Sequence, residues 1–300
     1  MTGPQGLGSA GISVERLCRL AEVSRASFYR GWNETAPGAE ETAVRDVIQR
    51  LCLAHRHYGY RRITALLRRD GWHVNHKRVL RLMREDNLLC LRNRPFVPAT
   101  TDSRHHWQVM PNLARGMRLT GLDQLWVADI TYVRLAEAFV YLAVILDAFS
   151  RKVIGWALEE HLRADLAIAA LEMAIEARRP RQGSVIHHSD RGVQYACNDY
   201  VALLDRHAIQ PSMSRLGNPY DNAKAERFMR TLKQEEVDGS AYRDVTDARA
   251  QVASFIETYN RQRLHSALDY LSPDEYEEAC SEQERAPVLN ASINRICYPV

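Results

Sequence analysis

Leu125-Trp-Val-Ala-Asp-Ile-Thr-Tyr-Val133 is followed by Phe139-Val-Tyr-Leu-Ala-Val-Ile-Leu146 and Lys152-Val-Ile-Gly-Trp-Ala-Leu-Glu159. These three apolar, β-branched and aromatic runs, separated by short turns at Arg134–Ala138 and Ala148–Arg151, predict a meander of antiparallel strands. Downstream the period changes. Leu166, Ala170, Met173 and Ala177 share one stripe and predict a helix over Ala164–Arg178. Ser184–His188 reads as a fourth strand, Asp199–His207 as a helix and Ile209–Met213 as a short fifth strand. Helices follow over Asn222–Val237 and Val245–Arg261. The result is an α/β core, a mixed five-stranded sheet with flanking helices.

That element order is the order of a ribonuclease-H-like catalytic core, assigned here to residues 121–281, with 282–300 as a C-terminal tail. The chain ahead of it is helical. Residues 1–40 read as a short helical N-terminal segment with Ser13 and Ser24 as caps and Val14, Leu17, Cys18 and Ala21 on one face. It is either a helix-turn-helix or a helical hairpin docked on the rest. In residues 41–92, Ile63, Leu66 and Leu67 mark the inner face of a helix over Arg61–Asp70. Gly71 breaks it, and Asn75 caps a second helix, His76–Glu85, with Val79, Leu82 and Met83 inward. The outer side carries Lys77, Arg81 and Arg84 at i, i+4 and i+7, with Arg78 beside them. A basic second helix after a glycine turn suits insertion into a major groove. Residues 41–92 are therefore read as an all-α helix-turn-helix DNA-binding domain, with Lys77, Arg78, Arg81 and Arg84 as DNA contacts. A three-helix bundle with a solvated basic face is the plainer alternative. Residues 93–120, where Pro95 and Pro98 resist helix, read as a basic linker.

Composition narrows the function. The chain has 300 residues, 46% hydrophobic, with 15 Gly and 11 Pro, which is folded rather than disordered material. The longest apolar run, Ala138–Leu146, falls far short of the roughly 18–20 residues a membrane span needs, and there is no secretory leader. The expectation is an intracellular protein with no membrane partner. The six cysteines are scattered without a C-x-x-C pair, so they predict reduced thiols and no zinc site. A net charge of +3 hides an asymmetry: residues 1–120 hold 20 Lys/Arg against 10 Asp/Glu, so the remainder carries about −7. A basic amino-terminal third joined to a carboxylate-rich remainder suits a nucleic-acid-binding region attached to a metal-dependent core.

Three carboxylates carry the chemistry. Asp129 lies in the first strand, Asp190 ends the run Ser184-Val-Ile-His-His-Ser-Asp190, and Glu226 sits in the helix over Asn222–Val237. Mg²⁺ prefers a few carboxylates completed by water and substrate phosphate. Two ions about 3.5–4 Å apart can clamp the attacking and leaving oxygens of a phosphodiester. Asp129, Asp190 and Glu226 are thus the expected catalytic residues and ligands of two Mg²⁺ (or Mn²⁺) ions. At about 100° per residue, with Glu226 at 0°, Asn222 falls near −40°, Lys233 near −20° and Arg230 near 40°. Ala225, Phe228, Met229 and Leu232 fall on the opposite, apolar side. Asn222, Arg230 and Lys233 are accordingly read as contacts to the DNA beside Glu226. Asp147 reads as a turn cap or a competing ligand, and His188 as a packing residue or one that positions a nucleophile. The Ser214–Asn222 run, with Gly217, Asn218 and Pro219, reads as a flexible loop.

Several stretches, in order and spacing, resemble the insertion-sequence transposases of the IS-three group, specifically their catalytic second reading frame within the DDE, retroviral-integrase-like superfamily. They are Tyr58-Gly-Tyr-Arg-Arg-Ile63, Trp126–Tyr132, Leu146–Trp156, His188–Tyr195, Ser212–Glu226, Tyr259–Leu268 and Ser272-Pro273. The likeness spans about residues 45–280. It implies that Asp129, Asp190 and Glu226 are the triad and that Lys233 is a basic DNA contact. It implies a DNA transposase performing 3′-end cleavage and strand transfer without a covalent protein intermediate. It further implies double-stranded DNA (terminal inverted repeats and target) as partner, a homo-oligomer at synapsis, an upstream-frame DNA-binding partner, and a cytoplasmic, nucleoid-associated prokaryotic location. Leu264 stands where proline is common, and Asp269 where glycine is. Two other readings compete. One is a catalytically inert DNA-binding regulator or assembly subunit. The other is metal-free tyrosine recombination through Tyr259, Arg263 and His265.

Overall fold

A computed structural model describes residues 13–30, 39–90, 110–136, 138–215 and 219–285. The amino-terminal helices are α1 (Val14–Leu20) and α2 (Arg25–Arg30), and the Ser13 hydroxyl caps α1 by accepting from Arg16 N–H. Next come α3 (Ala39–Ala54), α4 (Tyr60–Arg69) and α5 (His76–Glu85). These three pack Val44, Ile48, Ile63, Leu67, Val79, Leu82 and Met83 into one core. Gly71 takes φ +84° just past α4, and Trp72 N–H bonds back to the Leu67 carbonyl at 2.8 Å. This is the left-handed helix stop that glycine adopts without strain. Asn75 accepts from Lys77 N–H at 2.8 Å and caps α5 as the sequence predicts.

The second unit is the sheet. Its strands are β1 (Leu125–Arg134), β2 (Phe139–Asp147), β3 (Val153–Glu159), β4 (Ile186–Ser189) and β5 (Gln210–Met213), in the order β3-β2-β1-β4-β5. β1, β2 and β3 form the antiparallel meander, while β4 and β5 are parallel to β1. Helices α6 (Ala164–Arg178), α7 (Val193–Ala196) and α8 (Asn198–Arg206) cover one face; α9 (Ala223–Glu235) and α10 (Val245–Arg261) cover the other. Side chains alternate between the two faces. Leu125 and Val127 join Phe228, Met229 and Leu232 of α9, whereas Trp126 and Ala128 join Leu166 and Ala170 of α6. Gly155 in β3 lets α6 approach closely: a Cβ there would lie 2.2 Å from the Ala170 carbonyl oxygen.

The helical unit docks on the segment between α10 and α11 (Pro273–Arg285). Leu264 enters its core at 1% exposure, and Tyr58 Oη accepts from Leu264 N–H at 3.0 Å. Arg69 grips Glu275 through two bonds of 2.8 and 2.9 Å. Asp269 adopts φ 50°, a left-handed conformation that glycine reaches more readily. Part of the expected linker belongs to the core. Met110, Ala114, Met117 and Leu119 pack on the sheet, and Leu113 N–H donates to Ser212 Oγ at 2.9 Å. Residues 91–109 and the tail beyond Arg285 lie outside the described residues. No helix among the described residues is long and apolar enough to cross a membrane.

Candidate active site

Parallel pairing sets two of the three acids side by side. Val127 of β1 is in register with His188 of β4, so two residues further on Asp129 and Asp190 stand level on adjacent chains. Such chains run about 4.8 Å apart. Asp129 shares its parity with Leu125 and Val127 and so points to the α9 side of the sheet. Its Oδ1 accepts only a local bond from Ile130 N–H, at 2.9 Å. Asp190 Oδ1 accepts from Gly192 N–H at 2.9 Å.

The start of α9 brings in the third acid. Asn222 is buried and donates its amide to the Ala128 carbonyl at 2.8 Å, next to Asp129. Two residues on, Lys224 Nζ donates to the Ala148 carbonyl at 2.7 Å. These ties hold the first turn of α9 against β1 and the β2–β3 turn, with Glu226 on its exposed side. Just upstream, Arg215 binds both oxygens of Asp221 and closes the base of the Ser214–Asn222 run. Residues 216–218 of that run lie outside the described residues.

The electrostatics follow from this packing. Burial, then the charges of Asp190 and Glu226, push the Asp129 carboxyl up to about 8, with Asp190 the stronger of the two. Lys233 opposes them. Its ammonium sits 4.4 Å from the Tyr132 ring centroid, and burial lowers its pKa while Asp129 raises it. Desolvation raises the Glu226 carboxyl, and Arg230 one turn on draws it back. Among the described residues no three His, Cys, Asp or Glu side chains form a ready-made metal cage. The donor set still fits Mg²⁺, which takes one or two carboxylates and fills its octahedron with water and phosphate. A mutually repelling, partly buried trio gains from a cation what it lacks in the protein.

The remaining residues sort clearly. Asp147 is fully buried and caps the turn after β2, accepting from Asp123, Phe149 and Ser150 N–H groups at 2.7–2.9 Å. His188 is held between Ser212 and Ser214 hydroxyls at 2.8 and 3.0 Å, a packing role. Tyr259 is buried against Phe228 and pushed up to about 12, while Arg263 is bound to Glu235, so neither is free for nucleophilic chemistry. On α5, Lys77 and Arg84 are exposed. Arg78 pairs with Glu40 and Glu41, and Arg81 with Glu41 and Glu85. Arg230 is exposed, but the Asn222 amide is turned inward to Ala128 rather than toward solvent. Sequence reasoning missed this tie because a helix-face argument places Asn222 beside Glu226 without saying which element it meets.

Asn222→Ala is expected to leave the Ala128 carbonyl unsatisfied and to cost about 1–3 kcal/mol in urea unfolding. Because α9 is then loosened beside Asp129, turnover should fall further than the lost stability explains. Unchanged activity would show that this tie does not position Glu226.

A five-stranded mixed sheet of order β3-β2-β1-β4-β5 with a helical unit ahead of it is the frame of an integrase-core polynucleotidyl transferase. Residues 120–219 and 207–273 match models of an integrase core domain, and residues 39–96 a model of an HTH-like domain. The chain is 37% identical over 275 residues to transposase InsF for insertion sequence IS3A of Escherichia coli (strain K12), covering 89% of this chain and 95% of that protein. It is also 37% identical over 268 residues to the insertion element IS600 uncharacterized 31 kDa protein of Shigella sonnei, covering 87% and 97%. The solved catalytic core domain of BIV integrase matches at 17% identity and TM-score 0.40, over 55% of this chain and 99% of that one. The chain belongs to the IS3 family of insertion-sequence transposases.

Proposed function

We propose that this chain cuts the 3′ ends of an insertion sequence and joins them to a second phosphodiester by direct attack, with no covalent protein–DNA intermediate. The observation that carries the reading is the geometry around β1: parallel pairing sets Asp129 level with Asp190, and Asn222, bonded to the Ala128 carbonyl at 2.8 Å, holds the start of α9 and Glu226 beside them. Asp129, Asp190 and Glu226 would hold two Mg²⁺ or Mn²⁺ ions, which when bound supply charge stabilisation for the attacking and leaving oxygens. Lys233 and Arg230 take phosphate oxygens on either side of the scissile bond. A cavity of about 950 Å³ opens beside Asp190 and Lys233, with the half-buried rings of Tyr132 and Tyr141 in its wall. Such rings stack bases of either strand without reading sequence. No side chain need act as general base, which agrees with His188 being fully engaged.

Outside the core, Lys77 and Arg84 on α5 grip duplex DNA, and Arg78 and Arg81 exchange their glutamate partners for phosphates. The partners are the terminal inverted repeats and a target duplex. Synapsis of two ends requires at least two copies of the chain, and an upstream-frame protein supplies further DNA binding. The setting is the prokaryotic cytoplasm, at the nucleoid.

Element-end duplexes with Mg²⁺ are expected to be cut and joined, and EDTA or Glu226→Gln to stop both steps. Specific end binding without nicking in any divalent metal would favour an inert regulator instead. Full activity in EDTA would revive tyrosine chemistry.

A further inference from the structure

Three of the sequence stretches quoted above play no part in the acidic trio: Tyr58–Ile63, Leu146–Trp156 and Tyr259–Leu268. The fold gathers them against the flank of α9 that begins about 100° round from Glu226. Between them lies a cavity of about 510 Å³. Its wall carries six cations, Arg62, Arg151, Lys224, Arg227, Arg230 and Arg263, against two carboxylates, Asp147 and Glu235. Neither acid balances the rest. Asp147 is spent on three backbone N–H groups, and Glu235 is held by two nitrogens of Arg263 at 2.8 and 2.6 Å. Among the described residues Arg62, Arg151 and Arg227 have no ion-pair partner; Arg62 lies over the Tyr58 ring at 5.1 Å.

Two further observations point to a missing ligand. His265, at 6% exposure, lines the cavity, and its Nε2 has no hydrogen-bond partner. Burial and the surrounding arginines keep this ring neutral, so with its hydrogen on Nε2 it is a donor lacking an acceptor. Arg151 holds φ 64°, a strained conformation for a non-glycine residue and one that recurs where function demands it. A bare cavity of this charge is unfavourable by itself, and an anion with several acceptor oxygens relieves it. Guanidinium forks match phosphate in shape as well as charge.

We propose that this cavity is a phosphate-binding site in which Arg62, Arg151, Arg227 and His265 Nε2 take the oxygens of one phosphate group. Its source is either a nucleic-acid backbone or a free phosphate compound. None of these four residues belongs to the acidic trio, so the assignment stands apart from the metal site.

Calorimetric titration of the full chain with inorganic phosphate, in chloride buffer without divalent metal, tests it. One saturable site per chain is expected, weakened at least tenfold in Arg227→Glu and in Arg62→Ala. Arg206→Glu, an equal charge change at the exposed end of α8, should leave it unaltered. Both Arg227 and Arg206 are exposed, so their reversal leaves the fold intact, as circular dichroism would verify. If excess duplex displaces the phosphate and Arg227→Glu lowers the salt slope of duplex binding by about one, the group is a backbone phosphate. If duplex does not displace it, the group is a free phosphate compound. The proposal is overturned by no saturable binding at tens of millimolar phosphate, or by equal weakening in Arg206→Glu. No cleavage is measured, so failure here leaves the transposase reading untouched.

Discussion

Asp129→Asn is expected to abolish cleavage and strand transfer while making the metal-free protein more stable at alkaline pH. Charge stabilisation by bound metal contributes several kcal/mol to such reactions. Losing about 4 kcal/mol slows turnover about a thousandfold. The amide preserves the shape of the side chain, and its oxygen keeps the Ile130 N–H bond. The stability gain follows from the sign of the pKa shift. Unfolded, an aspartate titrates near 3.9; folded, Asp129 titrates at about 8. Between those values the folded state binds the extra proton, so stability contributed by this group is present at low pH and drains away as pH rises toward 8. Asparagine has no proton to lose and removes that slope. In EDTA the variant should melt clearly above the parent at pH 8, on the scale of about 2–4 °C per kcal/mol for chains of this size, and the gap should narrow steadily as pH falls to about 5 and close only near pH 4. Retained strand transfer, or a variant that melts lower at pH 8, would contradict both halves.

Glu235→Ala is expected to produce a large loss of stability. Glu235 and Arg263 are 16% and 8% exposed and joined by two bonds. Removing one member of such a pair leaves an uncompensated buried charge, at about 3–5 kcal/mol. Here the orphan would also face Arg62, Arg151 and Arg227 across the basic cavity, so the upper part of that range applies. Glu235→Gln keeps the shape and one acceptor and should fall in between. Urea unfolding checks this directly; a loss below about 1 kcal/mol would mean that Arg263 reaches solvent and that the cavity walls repel less than their charges imply.

Much of the fold is legible in the sequence because its strands are buried on alternating faces. Leu125 through Val133 shows the period of two, and the helices at Ala164–Arg178 and Val245–Arg261 have the boundaries their apolar stripes predict. Short elements are less clear: β4 starts at Ile186, two residues later than apolar content suggests, because Val185 is buried without pairing in the ladder. Within the candidate site, residue chemistry picks out Asp129 in a strand, Asp190 just past the end of one, and Glu226 on a helix face. Their nearness is a tertiary fact, set by parallel β1–β4 pairing and by Asn222 on the Ala128 carbonyl. Periodicity describes one helix at a time, so it shows Arg78 and Arg81 as a basic face and not their pairing with Glu40 and Glu41 of α3. The basic cavity is hidden for the same reason, since its walls come from residues near 62, 151, 227 and 263.

Crystals of the full chain with an element-end duplex, soaked in Mn²⁺ and measured at the manganese absorption edge, test the central claim most directly. The account predicts anomalous peaks ligated by Asp129, Asp190 and Glu226, two of them about 3.5–4 Å apart. Manganese bound elsewhere with these three carboxylates left bare, in crystals that still hold DNA against α9, would contradict it.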